Sequence, residues 1–110
     1  MSPPFPAVQP RASLREFNSF GLPATAATLI RLRSEADVRR VVDHPEYGRG
    51  GRLILGGGSN LVFTRDVAVP VLKVEIMGRR LVEERPDAWI VEAGAGENWH
   101  AFVEWTLAQG

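Results

Sequence analysis

The chain has 110 residues and a mass of 12.1 kDa, its 13 Lys and Arg are balanced by 13 Asp and Glu, and it contains no Cys. A chain of this size buries about 60 to 68% of its unfolded surface, which leaves room for one modest core and one shallow ligand site. Zero net charge argues against a dedicated binder of nucleic acid or anionic membranes. The absence of Cys excludes thiolate metal sites, iron–sulfur clusters and a cysteine nucleophile.

Residues 1–16 are predicted to form a flexible N-terminal tail. Four of the first ten residues are Pro, and no apolar run is long enough for a signal peptide or a membrane anchor. Nowhere does the chain approach 18 uninterrupted apolar residues, so we expect a soluble protein that does not enter a membrane.

The segment 17–68 is predicted to form a small α/β lobe. Apolar and β-branched residues indicate a strand over 26–32. Ser34 is a good N-cap for a short helix that ends before Pro45, and 52–55 has the pattern of a brief buried strand. The order strand, helix, strand favours parallel pairing of the two strands through a right-handed crossover.

The segment 69–110 is predicted to begin a second, β-rich lobe. After an extended run over 61–63 at the end of the first lobe, a longer run over 69–76 precedes strands over 81–85 and 89–93. Together these runs indicate an antiparallel meander. A last helix follows the N-cap Asn98, and its apolar spacing predicts a buried face that contains Trp99, Phe102 and Leu107. Such a lobe has too few strands to close, so we expect an α+β fold that is truncated relative to a complete domain.

The strongest chemical signal is the glycine loop, defined as Gly56, Gly57, Gly58, Ser59 and Asn60, directly after a predicted buried strand. Successive main-chain N–H groups in such a turn can bind an anion, and the Ser and Asn side chains add donors, so a phosphate could be held without any cationic side chain. A tight hairpin that binds nothing is the alternative interpretation.

Two common phosphate loops are excluded by the residues around these glycines. The only lysine, Lys73, lies far along the chain from the loop, which rules out the lysine-containing loop of ATP- and GTP-hydrolysing proteins. Leu61 occupies the place of the third glycine of a dinucleotide fingerprint, and an extended run follows it instead of a helix. What remains is a strand, an anion-binding turn and a second strand.

The other chemically notable residues are predicted to have structural roles. His44 and His100 are expected at a helix end and on a solvated helix surface, and Glu97 in the first turn of the last helix. No spacing of His, Asp or Glu matches a metal site. Gly94 and Gly96 could either let a ligand approach a strand end closely or mark a bend in the strand.

Three segments, in this order and at similar spacing, resemble the N-terminal part of the UDP-N-acetylenolpyruvoylglucosamine reductase family: Asn18-Ser19-Phe20-Gly21, Leu53-Ile54-Leu55-Gly56-Gly57-Gly58-Ser59-Asn60, and Val91-Glu92-Ala93-Gly94-Ala95-Gly96-Glu97-Asn98-Trp99-His100. The resemblance covers about residues 17–110. It implies an FAD-binding domain of the type shared with vanillyl-alcohol oxidase and p-cresol methylhydroxylase, in which two lobes enclose the cofactor. It also implies that Gly56, Gly57, Gly58, Ser59 and Asn60 hold the FAD diphosphate, and that residues 18–21 are structural.

The resemblance further implies a cytoplasmic enzyme of peptidoglycan synthesis. In that family NADPH reduces FAD, and the reduced flavin passes hydride to the enolpyruvyl group of a UDP-sugar, with a serine, a glutamate and an arginine as catalytic residues. All three lie beyond the point that matches Gly110, so no catalytic residue is predicted here, and residues 1–110 alone are expected to be inactive and to retain flavin weakly. The alternative from another class is a non-catalytic α/β module that binds phosphate or another protein.

Overall fold

The computed structural model describes residues 5–58 and 61–109. A short 3₁₀ helix at Arg15–Phe17 follows the first strand. The strands and helices in chain order are β1 Val8–Ser13, β2 Thr25–Leu32, α1 Glu35–Val42, β3 Leu53–Leu55, β4 Val71–Val74, β5 Arg79–Arg85, β6 Ala88–Ala93 and α2 Trp99–Ala108.

Four strands form the main sheet, in the order β1-β2-β4-β3. β1 pairs antiparallel with β2, for example Val8 opposite Ile30, so the prediction of a flexible tail is wrong for this segment. Pro10 is accommodated because β1 lies at the edge of the sheet, where a missing N–H need not cost a ladder hydrogen bond. The Pro-rich composition therefore concealed an edge strand.

The predicted strand–helix–strand unit is present, but its two strands are not neighbours. β4 lies between β2 and β3 and is parallel to both, with Leu29 and Leu53 on either side of Val71. The run over 69–76 therefore completes the first sheet and does not begin an antiparallel meander. The short hydrophobic strand β4 takes the central position because its side chains contribute to the core on both faces of the sheet.

Helix α1 begins and ends where the sequence predicted. The Ser34 hydroxyl accepts a hydrogen bond from the main-chain N–H of Asp37 at 3.2 Å, and Asp43 forms the C-cap two residues before Pro45. Val41 packs from the helix against Ile30, Leu32 and Leu72 on one face of the sheet. This cluster closes one side of the sheet.

The second core cluster fills the opposite face. Its fully buried members are Ala12, Leu14, Ala24, Ala26, Leu29, Leu55 and Val71. Leu61 and Phe63 pack against this cluster, but the described part of the chain gives them no strand partner, so the strand predicted over 61–63 is absent. The segment returns to the sheet only at Val67, which forms an isolated parallel bridge with Ala26.

Strands β5 and β6 form the predicted hairpin, with Arg79 opposite Ala93 and Arg85 opposite Ala88. α2 follows, capped by the Asn98 side chain, which accepts from the N–H of Ala101 at 2.9 Å. The prediction of a buried face on this helix is wrong, because Trp99 is 75% exposed and Leu107 is 74% exposed. Apolar spacing identified the helix, but none of its described side chains is fully buried, and Phe102 is half-buried.

The division into lobes at residue 68 stays a prediction, although β4 lies in the sheet of the first lobe. No helix among residues 5–58 and 61–109 is both long and apolar enough to cross a bilayer.

Candidate functional site

The glycine loop begins at the carboxyl end of β3. The parallel strands β2, β4 and β3 end at Leu32, Val74 and Leu55, so their carboxyl ends share one edge of the sheet. Ligands of open parallel sheets bind outside this edge, where loops can converge without blocking the strands. The position of the loop therefore agrees with a ligand site.

Gly58 is the loop residue that the fold constrains most. Its φ is +76°, and a Cβ atom at this position would overlap the main-chain carbonyl oxygen of Phe17. The Gly58 carbonyl in turn accepts a hydrogen bond from the N–H of Ser19 at 3.3 Å. Glycine is required here because the loop lies directly against the 17–19 segment.

Gly56 and Gly57 face open space, with no atom within 4 Å of a Cβ built at either position. None of the hydrogen bonds between described residues has the N–H of Gly56, Gly57 or Gly58 as its donor. Unpaired N–H groups in succession are the donor set of an anion-binding turn. The predicted ligands Ser59 and Asn60 lie outside the described residues.

The loop contains a cationic contact that the sequence did not predict. The Lys73 Nζ donates a hydrogen bond to the carbonyl oxygen of Gly56 at 2.6 Å. Lys73 is 17 residues away in the chain, but it pairs with Leu55 in the parallel ladder, which places it beside the first glycine. The expectation of a loop without a nearby cationic side chain is therefore wrong, and only the strand order could have revealed it.

Phe17 provides a common surface for two cations at this edge. The Lys73 Nζ lies 5.7 Å from the ring centre, and the guanidinium carbon of Arg31 lies 5.0 Å from it. Arg31 is also paired with Glu75, at 3.1 Å between Nη1 and Oε2. The acidic partner offsets the charge of Arg31, whereas the ammonium of Lys73 contacts a neutral carbonyl.

The 18–21 segment packs against the glycine loop at Gly58. Asn18 is 6% exposed, and its Nδ2 donates to the carbonyl oxygens of Leu14 at 2.8 Å and Leu22 at 3.3 Å. Its Oδ1 accepts from the N–H of Leu22 at 2.9 Å. The side chain thus closes the turn that places Phe17 and Ser19 against Gly58, a structural role as the sequence suggested.

Gly94 and Gly96 serve a contact between two main-chain segments. A Cβ at either residue would overlap the backbone of Glu75 or Ile76, and Gly96 donates from its N–H to the Ile76 carbonyl at 2.8 Å. Both glycines therefore allow the chain after β6 to pack on the chain after β4. The space that a Cβ would occupy at both glycines is therefore filled by main chain of this protein.

Glu97 lies before the N-cap of α2, not in its first turn as predicted. Its side chain is 7% exposed, and Oε1 accepts from Arg79 Nε at 2.9 Å. A longer contact of 3.4 Å joins the same oxygen to the N–H of Gly78. Glu97 therefore connects the start of β5 to the segment that leads into α2.

The two histidines have the structural surroundings that the sequence suggested. His44 accepts hydrogen bonds at Nδ1 from the N–H groups of Glu46 and Tyr47, both at 3.1 Å. His100 is exposed and pairs with Glu104 along α2 at 2.7 Å. Among the residues described, no three His, Asp or Glu side chains are grouped closely enough to hold a metal ion.

A glycine turn at the carboxyl edge of parallel strands, with main-chain donors that have no acceptor among the described residues, is typical of a domain that binds a phosphate-containing ligand. Residues 26–110 match the family model described as an FAD binding domain, and the chain belongs to this family. The open Cβ positions of Gly56 and Gly57, and loop N–H groups that have no acceptor among the described residues, fit the diphosphate of such a cofactor, because they allow close approach and offer several donors.

The relatives are more specific. The chain is 58% identical over 114 residues to the UDP-N-acetylenolpyruvoylglucosamine reductase of Azoarcus sp. (strain BH72), an alignment that covers all of this chain and 33% of the relative. It is 53% identical over 112 residues to the reductases of the same name from Burkholderia mallei and Burkholderia pseudomallei, of which it covers 32%. The similarity to this group of reductases confirms the resemblance seen in the sequence. The chain spans about a third of their length.

Proposed function

We propose that the chain is the N-terminal FAD-binding part of an NADPH-dependent reductase that converts UDP-N-acetylglucosamine enolpyruvate to UDP-N-acetylmuramate in the cytoplasm. The observation that carries the proposal is the glycine turn at the carboxyl edge of the parallel strands, whose N–H groups have no acceptor among the described residues. The substrate is inferred from the name of the relatives. NADPH, the cytoplasm and the two-lobed domain of the vanillyl-alcohol oxidase type come from the family resemblance.

In this proposal Gly56, Gly57 and Gly58 hold the FAD diphosphate through their main-chain N–H groups, with Ser59 and Asn60 as further donors. Each charge-assisted hydrogen bond to a phosphate oxygen contributes about 1.5–3 kcal/mol, so a few of them can anchor a cofactor. When bound, FAD supplies the capacity to accept a hydride from one substrate and deliver it to another.

The described residues of this chain hold and orient the cofactor loop, and none of them is assigned a proton-transfer role. Gly58 fixes the loop against Phe17, Asn18 fixes the turn that carries Phe17, and the strand order sets the loop at the sheet edge. The proton donor and the groups that stabilise the enolate belong, by the family resemblance, to residues beyond 110. Residues 1–110 alone are accordingly proposed to be inactive and to bind flavin weakly.

Two measurements on the full-length protein that carries this chain test the proposal. The purified protein should show the visible absorbance of bound flavin, and it should oxidise more than one equivalent of NADPH only when UDP-N-acetylglucosamine enolpyruvate is added. A protein that takes up FAD but ignores this substrate would contradict the reductase assignment and leave the cofactor assignment intact.

A colourless protein that does not bind added FAD would contradict both assignments. If it also formed a defined oligomer by light scattering, the alternative of a non-catalytic interaction module would be favoured. Such a module would associate through an exposed edge of its sheet, of which β1 and β3 are the outer strands.

A further inference from the structure

We infer that Lys73 is a positioning residue for the cofactor loop: its ammonium fixes the peptide unit between Gly56 and Gly57, and thereby aims the Gly57 N–H at the cofactor diphosphate. The inference rests on the proposed function and extends it to a residue outside the motif that predicts the loop.

The Lys73 Nζ donates to the Gly56 carbonyl oxygen at 2.6 Å, a short distance for a charge-assisted hydrogen bond. The main chain holds Lys73 in register with Leu55, the residue before Gly56. The base of the side chain is therefore fixed by the central strand of the sheet, and the contact does not depend on a mobile segment.

The planar peptide unit between Gly56 and Gly57 couples the direction of its C=O to that of its N–H. No cis peptide bond occurs among the described residues, and in a trans unit the C=O and the following N–H point in opposite directions. Holding the Gly56 C=O toward Lys73 therefore turns the Gly57 N–H to the opposite side. That N–H has no acceptor among the described residues, so it is available to a ligand.

A positioning residue is useful at this loop because two of its glycines are conformationally free. Gly56 and Gly57 face open space, and glycine samples more backbone conformations than any other residue, so the free loop has many orientations to lose on binding. A fixed peptide reduces that cost before the ligand arrives. The ring of Phe17 lies 5.7 Å from Nζ and restricts the ammonium from a second direction.

The test compares FAD affinities of the full-length protein carrying this chain, by titration of the flavin-free form. Lys73→Met should weaken FAD binding about tenfold, because it removes the charged hydrogen bond that orients the loop. Lys73→Arg should retain most of the affinity, because Arg keeps a charged donor. The matched control is Arg85→Met, which removes a positive charge whose only ion pair in the described residues is with Glu83. It should leave the affinity unchanged.

Two further readouts separate positioning from direct contact with phosphate. If Lys73 only positions the loop, the FAD affinity of Lys73→Met should depend on salt as steeply as that of the unsubstituted protein. The substitution should also shift the amide NMR signal of Gly57 in the flavin-free form. A shallower salt dependence would overturn the inference in favour of a direct ion pair with the diphosphate. Affinity within twofold of the unsubstituted protein would overturn it altogether.

If Lys73→Met fails to fold, Phe17→Leu provides the second variant, since it keeps apolar volume beside the core but removes the ring face. It should weaken FAD binding two- to threefold with the same shift of the Gly57 signal, and an unchanged signal would contradict the inference. An unsubstituted protein that binds no FAD would instead refute the proposed function.

Discussion

The α-carbon of Gly58 packs directly against the main-chain carbonyl of Phe17, so the cofactor loop and the chain before β2 are in contact through backbone alone. The contact is closed by the hydrogen bond from Ser19 N–H to Gly58 O. It joins two of the three segments that define the family resemblance, which are 32 or more residues apart in the chain. This relationship gives the three glycines different roles, and those roles can be separated by mutation.

Gly58→Ala is expected to destabilise the flavin-free protein by about 1–3 kcal/mol, because alanine is strained at φ +76° and its Cβ would displace Phe17. Gly56→Ala and Gly57→Ala are the matched controls, since their Cβ atoms would meet no described atom within 4 Å. Urea unfolding measures the stability. The controls should unfold like the unsubstituted protein yet weaken FAD binding, because their Cβ atoms would enter the space of the diphosphate. Equal stability of all three variants would refute the assignment of Gly58.

Asn18→Ala is expected to reduce the free energy of unfolding by about 1–3 kcal/mol, because the buried amide has hydrogen bonds to Leu14 and Leu22 that alanine leaves unmade. Ser19→Ala is the control, since its contact with Gly58 uses the main-chain N–H and survives the substitution. Thermal unfolding of both variants checks the difference. A Ser19 variant as unstable as the Asn18 variant would contradict the stated role of the asparagine side chain.

Much of the fold could be predicted because local rules decide it. Ser34 and Asn98 cap helices where the residue types require, and the hairpin turns at Pro86 and Asp87. The order of strands could not be predicted, because the position of β4 between β2 and β3 is a long-range outcome of core packing. Lys73 reaches the glycine loop only through that order, so the sequence-based prediction missed its contact with Gly56.

Trp99→Ala and Leu107→Ala are expected to change the free energy of unfolding of the 110-residue chain by less than about 1 kcal/mol, because both side chains are three-quarters exposed. Leu29→Ala truncates a fully buried core side chain and should reduce the free energy of unfolding by about 2–5 kcal/mol. Urea unfolding of the three variants tests this. A loss at Trp99 as large as that at Leu29 would show that the helix face is covered after all.

Glu97→Ala is expected to destabilise the chain by about 1–3 kcal/mol, because it removes the nearly buried acceptor of Arg79 and of the Gly78 N–H. Glu104→Ala is the control. Its partner is the exposed His100, and an exposed pair of this kind contributes about 0–1 kcal/mol. Hydrogen exchange of the β5 and α2 amides should increase in the first variant only. Similar exchange in both would argue against a connection through Glu97.

The hairpin also carries a pH-sensitive pair. The hydrogen bond from Arg80, and then its positive charge, hold the pKa of Glu92 below its ordinary value of 4.5. A carboxyl group whose pKa is lowered by folding stabilises the folded state above its unfolded pKa, and that contribution is lost as the pH falls through the folded value. Glu92→Gln should therefore be less stable than the unsubstituted chain at pH 7, and the two should converge as the pH falls through the lowered, folded-state pKa of Glu92. Because the pair is exposed, 1 M salt should reduce the difference at pH 7.

Glu84→Gln, on the same hairpin, is the control and should show no such convergence. A difference at pH 7 that persists unchanged to pH 2 would mean that the glutamate acts through something other than its charge.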